Sequence, residues 1–204
     1  MQWWCSATGV AWSWTWQAYP GVWLFIGLIA FAYARLVRRL RREGESVPTS
    51  RIAAFAGGTL TLWLALDWPI GLLGASYLSS VHMLQFLMIA LTVPPLLLFG
   101  IPEAAYRRIP QGTATALRYL THPLITFVAF YATVIVTHLP ITVDTLMATQ
   151  VGSFVFDMTW LIAGTIYWWP IVAPVPERPG MKGLAKIGYL AAEMVAMTPV
   201  AFSL

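Results

Sequence analysis

The sequence predicts an all-α membrane protein, a polytopic bundle of about six transmembrane helices with its N-terminus outside. Three observations lead to this class. Of the 204 residues, 59% are hydrophobic and only 10% are charged, whereas a soluble domain carries about 25% charged residues. Apolar runs recur that approach the roughly 20 residues needed to cross a bilayer. The Lys and Arg residues fall in alternating connections between these runs.

The first 17 residues are rich in tryptophan, with Trp3, Trp4, Trp12, Trp14 and Trp16. Tryptophan favours the membrane–water interface, where its ring is buried and its N–H stays hydrated. We therefore expect residues 1–17 to form an interfacial segment on the outer face. They lack the basic start and continuous apolar run of a cleaved signal peptide. The single cysteine, Cys5, excludes an internal disulfide.

The rest of the chain, residues 18–204, is predicted to form a single transmembrane bundle. The apolar runs place its spans at about 18–37, 53–73, 79–100, 123–141, 151–172 and 184–204. The third span contains Pro94 and Pro95, which cannot donate backbone hydrogen bonds and are expected to kink it.

The basic residues predict the orientation of the bundle. Six Lys and Arg residues lie between the first two spans, three between the third and fourth, and three between the fifth and sixth; the opposite connections carry none. Positive residues concentrate in cytoplasmic loops, so both chain ends are placed outside. This pattern accounts for the net charge of +4 without a nucleic-acid partner. The bilayer is the expected environment.

Under this orientation, the remaining polar residues are predicted to lie on one side of the membrane. Asp67 comes late in an outward-going span, His82 begins an inward-going one, and His138 ends an outward-going one. Asp157 lies about 9 Å into the fifth span at the helical rise. All four are therefore placed in the outer leaflet or its interface.

Helical spacing suggests how these groups could meet. His82 shares a helix face with Gln85 and Phe86, since residues three and four apart are neighbours. A second face in the fifth span groups Ser153, Asp157, Trp160 and Gly164 by the same rule. Both faces should turn into the bundle, because lipid cannot satisfy imidazole, amide or carboxylate groups.

A metal site is one interpretation of this cluster. Imidazole suits copper, zinc and iron, thioether suits Cu(I), and a carboxylate can complete a site. The candidate ligands are His82, His138 and Asp157, with Met83, Met147 and Met158 as soft auxiliaries. The alternative is polar packing, in which these groups hydrogen-bond to each other and fix the helices.

Several motifs together resemble the CtaG-type cytochrome c oxidase assembly factors, a family of multi-pass bacterial membrane proteins. They are the stretches 82–85, 93–102, 137–140 with Asp144, and 163–170, the basic stretch after the first span, and Tyr189. The resemblance implies a place in the bacterial inner membrane, partnership with a complex such as cytochrome c oxidase, and possible copper handling on the outer side.

The chain departs from the family pattern at several positions. Phe86 stands where a second histidine is usual, and Ser153, Phe156 and Asp157 replace a His-x-x-Glu-His pattern. Only His82 and His138 therefore match the family's metal-ligand positions, and Asp157 would be a substitute ligand. Family members usually have a seventh span, so the sequence is expected to be either shortened or incompletely represented.

Three functions follow from the sequence. The first is an oxidase assembly factor with a reduced metal site at His82, His138 and Asp157. The second is a structural subunit of the same fold, without metal, inside a larger respiratory or photosynthetic membrane complex. The third is a proton relay or transporter using Asp67, His82 and Asp157. We do not expect an enzyme, because no nucleophile–base pair, phosphate loop or haem-attachment motif occurs.

Overall fold

The computed structural model describes residues 2–173, 181 and 183–202, the last ten of these by their backbone only. The described part is helical and contains no strand, which confirms the all-α class. Of the third basic connection, Lys186 is described, whereas Arg178 and Lys182 lie outside the described residues, as do residues 203–204 of the sixth predicted span.

The first half of the chain forms three long helical stretches and one short helix. Helix α1 runs over Pro20–Arg42, α2 over Thr49–Leu66 and the short α3 over Ile70–Ser76. Helix α4 over Ser79–Phe86 continues through a π-helical turn over Leu87–Thr92 into α5 over Val93–Gly100. Helices α2 and α5 pack closely against each other along their lengths.

The second half brings α10 into the centre of the bundle. Helices α6 (Glu103–Tyr106), α7 (Gln111–Leu120) and α8 (Pro123–Thr137) are followed by α9 (Pro140–Leu146), α10 (Gln150–Val172) and α11 (Gly183–Phe202). Helix α10 packs against α8, α5 and the π-helical turn. Large aromatic residues fill the interior: Trp4, Tyr19, Phe86, Phe130, Phe156, Trp160 and Tyr167.

Two described helical stretches are long and apolar enough to cross a membrane, Pro20–Arg42 and Ser79–Gly100. A third would qualify if α7 and α8, which meet at a bend of 61°, form one broken span. The chain is therefore a membrane protein by its apolar helices, but the predicted count of six spans is not confirmed.

Two helices end earlier than the apolar runs suggest. Helix α2 stops at Leu66 rather than near residue 73, because the backbone of Asp67 is extended. Helix α8 stops at Thr137 rather than 141, because Pro140 disfavours helical backbone at Leu139, which is extended. Both breaks lie beside the polar residues singled out by the sequence.

The prolines of the third predicted span follow the π-helical turn. Pro94 and Pro95 lie in the first turn of α5, directly after Val93. Within the π-helical turn, the Thr92 hydroxyl donates a hydrogen bond to the Leu87 carbonyl at 3.2 Å. The widened turn leaves backbone at the surface of this stretch, where α10 packs against it.

The first two basic segments meet at one end of the bundle. Arg51 forms an ion pair with Glu103 at 2.8 Å, Arg107 pairs with Glu45 at 3.3 Å, and Arg108 pairs with Glu43. The guanidinium of Arg108, followed by that of Arg39, lowers the pKa of Glu43. Their meeting at one end is what the positive-inside pattern requires.

Candidate functional site

His82 and His138 come together at the end of the bundle opposite the basic segments. His82 lies in the first turn of α4, and His138 terminates α8. Their ring centroids are 6.0 Å apart and the planes are inclined by 71°. The early end of α8 before Pro140 is what places His138 beside α4.

A close approach of α3 positions the first histidine. Gly74 of α3 lies against α4, where an added Cβ would be 3.3 Å from the Cα of His82 and 2.5 Å from Oε1 of Gln85. A larger residue would push the two helices apart. The absence of a side chain at Gly74 therefore brings the start of α4 against α3.

The two imidazoles line one cavity of about 330 Å³. The connection from α3 to α4, residues 74–79, forms one wall, and Val143 of α9 contributes to another. Met83 and Met147, both expected as soft auxiliaries, also line it. Two imidazoles and two thioethers form a donor set that suits Cu(I).

The hydrogen bonds of His138 fix its tautomer. Its Nδ1 lies 2.7 Å from the carbonyl oxygen of Val134, which can only accept, so Nδ1 carries the proton. The other nitrogen, Nε2, is buried and has no hydrogen-bond partner among the described residues. A histidine whose Nδ1–H binds a backbone carbonyl while Nε2 is free has the arrangement typical of a metal ligand.

An aromatic wall encloses the histidine pair on its inner side. The ring of Trp160 lies 5.1 Å from that of His82, and Phe86 lies 5.3 Å from His138. The Trp160 indole donates to the Thr137 hydroxyl at 3.0 Å, which holds the wall against the end of α8. Phe86 therefore occupies space beside His138 that a further imidazole would need.

Asp157 forms its hydrogen bond away from the cavity. Its carboxylate is buried, with 6% of the residue exposed, and accepts a hydrogen bond of 2.8 Å from the Trp4 indole. Asp157 and Met158 are not among the described residues that line the cavity. Within the described part of the chain, no group of three or more His, Cys, Asp and Glu side chains could hold a metal. The three-ligand set with Asp157 stays a prediction.

The N-terminal segment supplies contacts that the sequence did not predict. Trp4, Cys5 and Ser6 are buried, whereas Trp14 and Trp16 are exposed. Burial and the negative charge of Asp157 raise the pKa of the Cys5 thiol. The position of residues 1–17 relative to a membrane stays a prediction.

This segment also ties together the loops around the cavity. The amide of Ala7 donates to the Met147 carbonyl at 2.8 Å, and the amide of Thr8 donates to the Ser76 hydroxyl at 3.0 Å. The Tyr77 hydroxyl donates to the Val10 carbonyl. Three cavity-lining residues are thus held by the N-terminal segment.

Asp67, the other carboxylate grouped with the histidines by the sequence, is also bound by an indole. Asp67 accepts hydrogen bonds of 2.9 Å from the Trp23 side chain and from the backbone N–H of Trp68. The only sequence signal for these indole–carboxylate pairs was the abundance of tryptophan, which does not say which residues meet.

Comparison with known proteins gives one family and several relatives. The family model described as "Cytochrome c oxidase caa3 assembly factor" matches residues 31–204. The chain is 28% identical over 192 residues to the uncharacterized protein Mb0105 of Mycobacterium bovis, covering 80% of this chain and 29% of that protein. It is 26% identical over 197 residues to the uncharacterized protein ML1998 of Mycobacterium leprae, covering 85% and 30%.

The chain therefore spans about three tenths of the length of these relatives. No solved structure matches it significantly.

Proposed function

The chain belongs to the cytochrome c oxidase caa3 assembly factor family, and we propose that it serves oxidase assembly by carrying copper at the cavity between His82 and His138. The role is binding and transfer of the ion, with no catalysed reaction. The observation that carries the proposal is the buried Nε2 of His138, which has no hydrogen-bond partner among the described residues and belongs to a ring 6.0 Å from a second imidazole.

The spacing of the two rings fits a shared ion. With metal–nitrogen bonds of about 2 Å, two imidazoles on one ion have centroids about 5–6 Å apart. The 6.0 Å between His82 and His138 lies at the upper end of that range. Met83 and Met147 would bias the site toward Cu(I), because thioether is a soft ligand.

The charges support an outer position for the cavity. The basic segments meet at one end of the bundle, through pairs such as Arg51 with Glu103. His82 lies at the start of a helix that leads toward that end and His138 at the close of one that leads away from it. Basic loops face the cytoplasm, so the cavity would receive its copper from the outer side.

A site with two histidines is suited to transfer more than to storage. Phe86 fills the place of a third imidazole and Asp157 is bound by Trp4. Fewer strong ligands mean weaker retention, so an acceptor site in the oxidase could remove the ion. Wild-type affinity should therefore be lower than that of a closed three- or four-ligand site.

A second candidate is a structural subunit of a larger respiratory or photosynthetic complex that has lost metal handling. The observation that favours it is the hydrogen bond from Trp4 to Asp157, a carboxyl that does not line the cavity. A proton relay has less support, because an indole N–H is a donor only and such groups occupy oxygens of both Asp67 and Asp157.

The copper proposal is tested by complementation of a host strain that lacks the gene. The variant His82→Ala/His138→Ala should lower cytochrome c oxidase activity in membranes by at least roughly tenfold at limiting copper, because both imidazole ligands are lost. Added copper should restore it. His122→Ala is the matched control, since His122 is exposed at the N-terminus of α8, far along the helix from His138.

Full oxidase activity of the double variant at limiting copper would contradict the proposal. A loss that added copper does not repair would favour the structural subunit instead.

A further inference from the structure

We propose that one face of α1 binds an anionic phospholipid, with the headgroup at its arginines and an acyl chain along its apolar part. The face consists of Leu24, Leu28, Phe31, Arg35, Arg38 and Arg42. The proposal is independent of the copper site.

These residues form one continuous stripe. They follow each other at intervals of three and four, which places them on the same side of a helix. Leu24, Leu28 and Phe31 are 66%, 57% and 58% exposed. The apolar part extends for about 10 Å at the helical rise, and α1 is one of the helices long and apolar enough to cross a membrane.

The charged part of the stripe borders a cleft of about 590 Å³. Within the described residues, Arg35, Arg38 and Arg42 form no ion pair, whereas Arg39 pairs with Glu43 at 3.0 Å. Glu43 is shared with Arg108 as well, so its charge is already balanced. Among the described residues, the positive charges that line the cleft therefore outnumber the negative charge of Glu43.

The two parts of the stripe are joined by Arg35, whose guanidinium lies 5.7 Å from the ring centroid of Phe31. A phosphodiester placed at Arg35 and Arg38 would have its acyl chains beside Phe31 and Leu28. Guanidinium groups bind phosphate oxygens through two parallel hydrogen bonds. Basic clusters at the cytoplasmic end of a membrane helix attract anionic lipid.

The apolar and charged halves of the stripe together favour an anionic phospholipid over other ligands. Free phosphate would engage the arginines but would leave Leu24, Leu28 and Phe31 unused. A zwitterionic lipid would cover the apolar part but would bring no net charge to the cleft. An anionic phospholipid such as phosphatidylglycerol satisfies both halves.

The test is native mass spectrometry of the full chain in detergent, titrated with phosphatidylglycerol, phosphatidylcholine of the same acyl chains, or inorganic phosphate. Phosphatidylglycerol should bind at least tenfold more tightly than either other probe. Since each arginine near an anionic surface contributes roughly a factor of five, Arg35→Gln/Arg38→Gln should weaken its binding roughly tenfold to thirtyfold. Arg35→Lys/Arg38→Lys should recover part of the loss.

The matched control is Arg41→Gln/Arg118→Gln, which removes the same charge from exposed arginines that do not line the cleft. It should weaken binding by less than roughly threefold. Equal losses in both pairs of substitutions would overturn the proposal, because binding would then follow net charge. Equal affinity for phosphatidylcholine or for inorganic phosphate would overturn it as well.

Discussion

Trp4→Phe should destabilise the fold by about 1–3 kcal/mol, the cost of leaving a buried carboxyl oxygen without its hydrogen-bond donor. The Trp4 indole donates to Asp157 across 153 residues of sequence, and both residues are buried. Phenylalanine keeps most of the ring packing but removes the N–H. The measurement is reversible unfolding in mixed detergent micelles.

A substitution at an exposed tryptophan serves as the reference, and a double variant tests the hydrogen bond. Trp14→Phe makes the same chemical change at a side chain that is 73% exposed, and it should alter stability by less than about 0.5 kcal/mol. Adding Asp157→Leu to Trp4→Phe should recover part of the loss, because replacing both partners by apolar groups removes the orphaned carboxylate. If Trp4→Phe and Trp14→Phe behave alike, the pair does not stabilise the bundle.

Gly164→Ala should destabilise the protein by about 3 kcal/mol or more, through overpacking where α10 meets the π-helical turn. An added Cβ would lie 2.8 Å from the carbonyl carbon of Ala90 and closer still to its oxygen. Backbone atoms cannot turn aside as a flexible side chain can, so the helices would have to separate.

The matched control for this prediction is Gly57→Ala in α2. A Cβ at Gly57 meets nothing within 4 Å, and alanine favours a helix interior over glycine by roughly 0.5–1 kcal/mol. This control should therefore be neutral or slightly stabilising in the same unfolding experiment. Equal effects of the two alanine substitutions would show that α10 does not pack tightly against the turn.

The helical class could be predicted because composition and apolar runs depend on local sequence. The run at residues 79–100 coincides with the continuous stretch Ser79–Gly100, which is long enough to cross a membrane. The predicted ends of α2 and α8 were too late, since hydropathy registers neither the extended backbone at Asp67 nor the effect of Pro140 on Leu139.

The site was predictable only in part. Charge bias and the order of the spans predicted that His82 and His138 lie on one side, and in the structure both line one cavity. The partner of Asp157 could not be predicted, because a pair 153 residues apart depends on how the N-terminal segment packs rather than on spacing along one helix. The same holds for Met147, which reaches the cavity from the end of α9.

The central claim is tested most directly by titrating the purified chain with Cu(I) under anaerobic, reducing conditions against a chromophoric chelator. The wild type should bind one Cu(I) per chain, and His82→Ala/His138→Ala should bind at least roughly a hundredfold more weakly. Met83→Leu/Met147→Leu should give an intermediate loss, because the imidazoles remain. A wild-type chain that binds no Cu(I), or a double histidine variant that binds it as tightly as the wild type, would contradict the account.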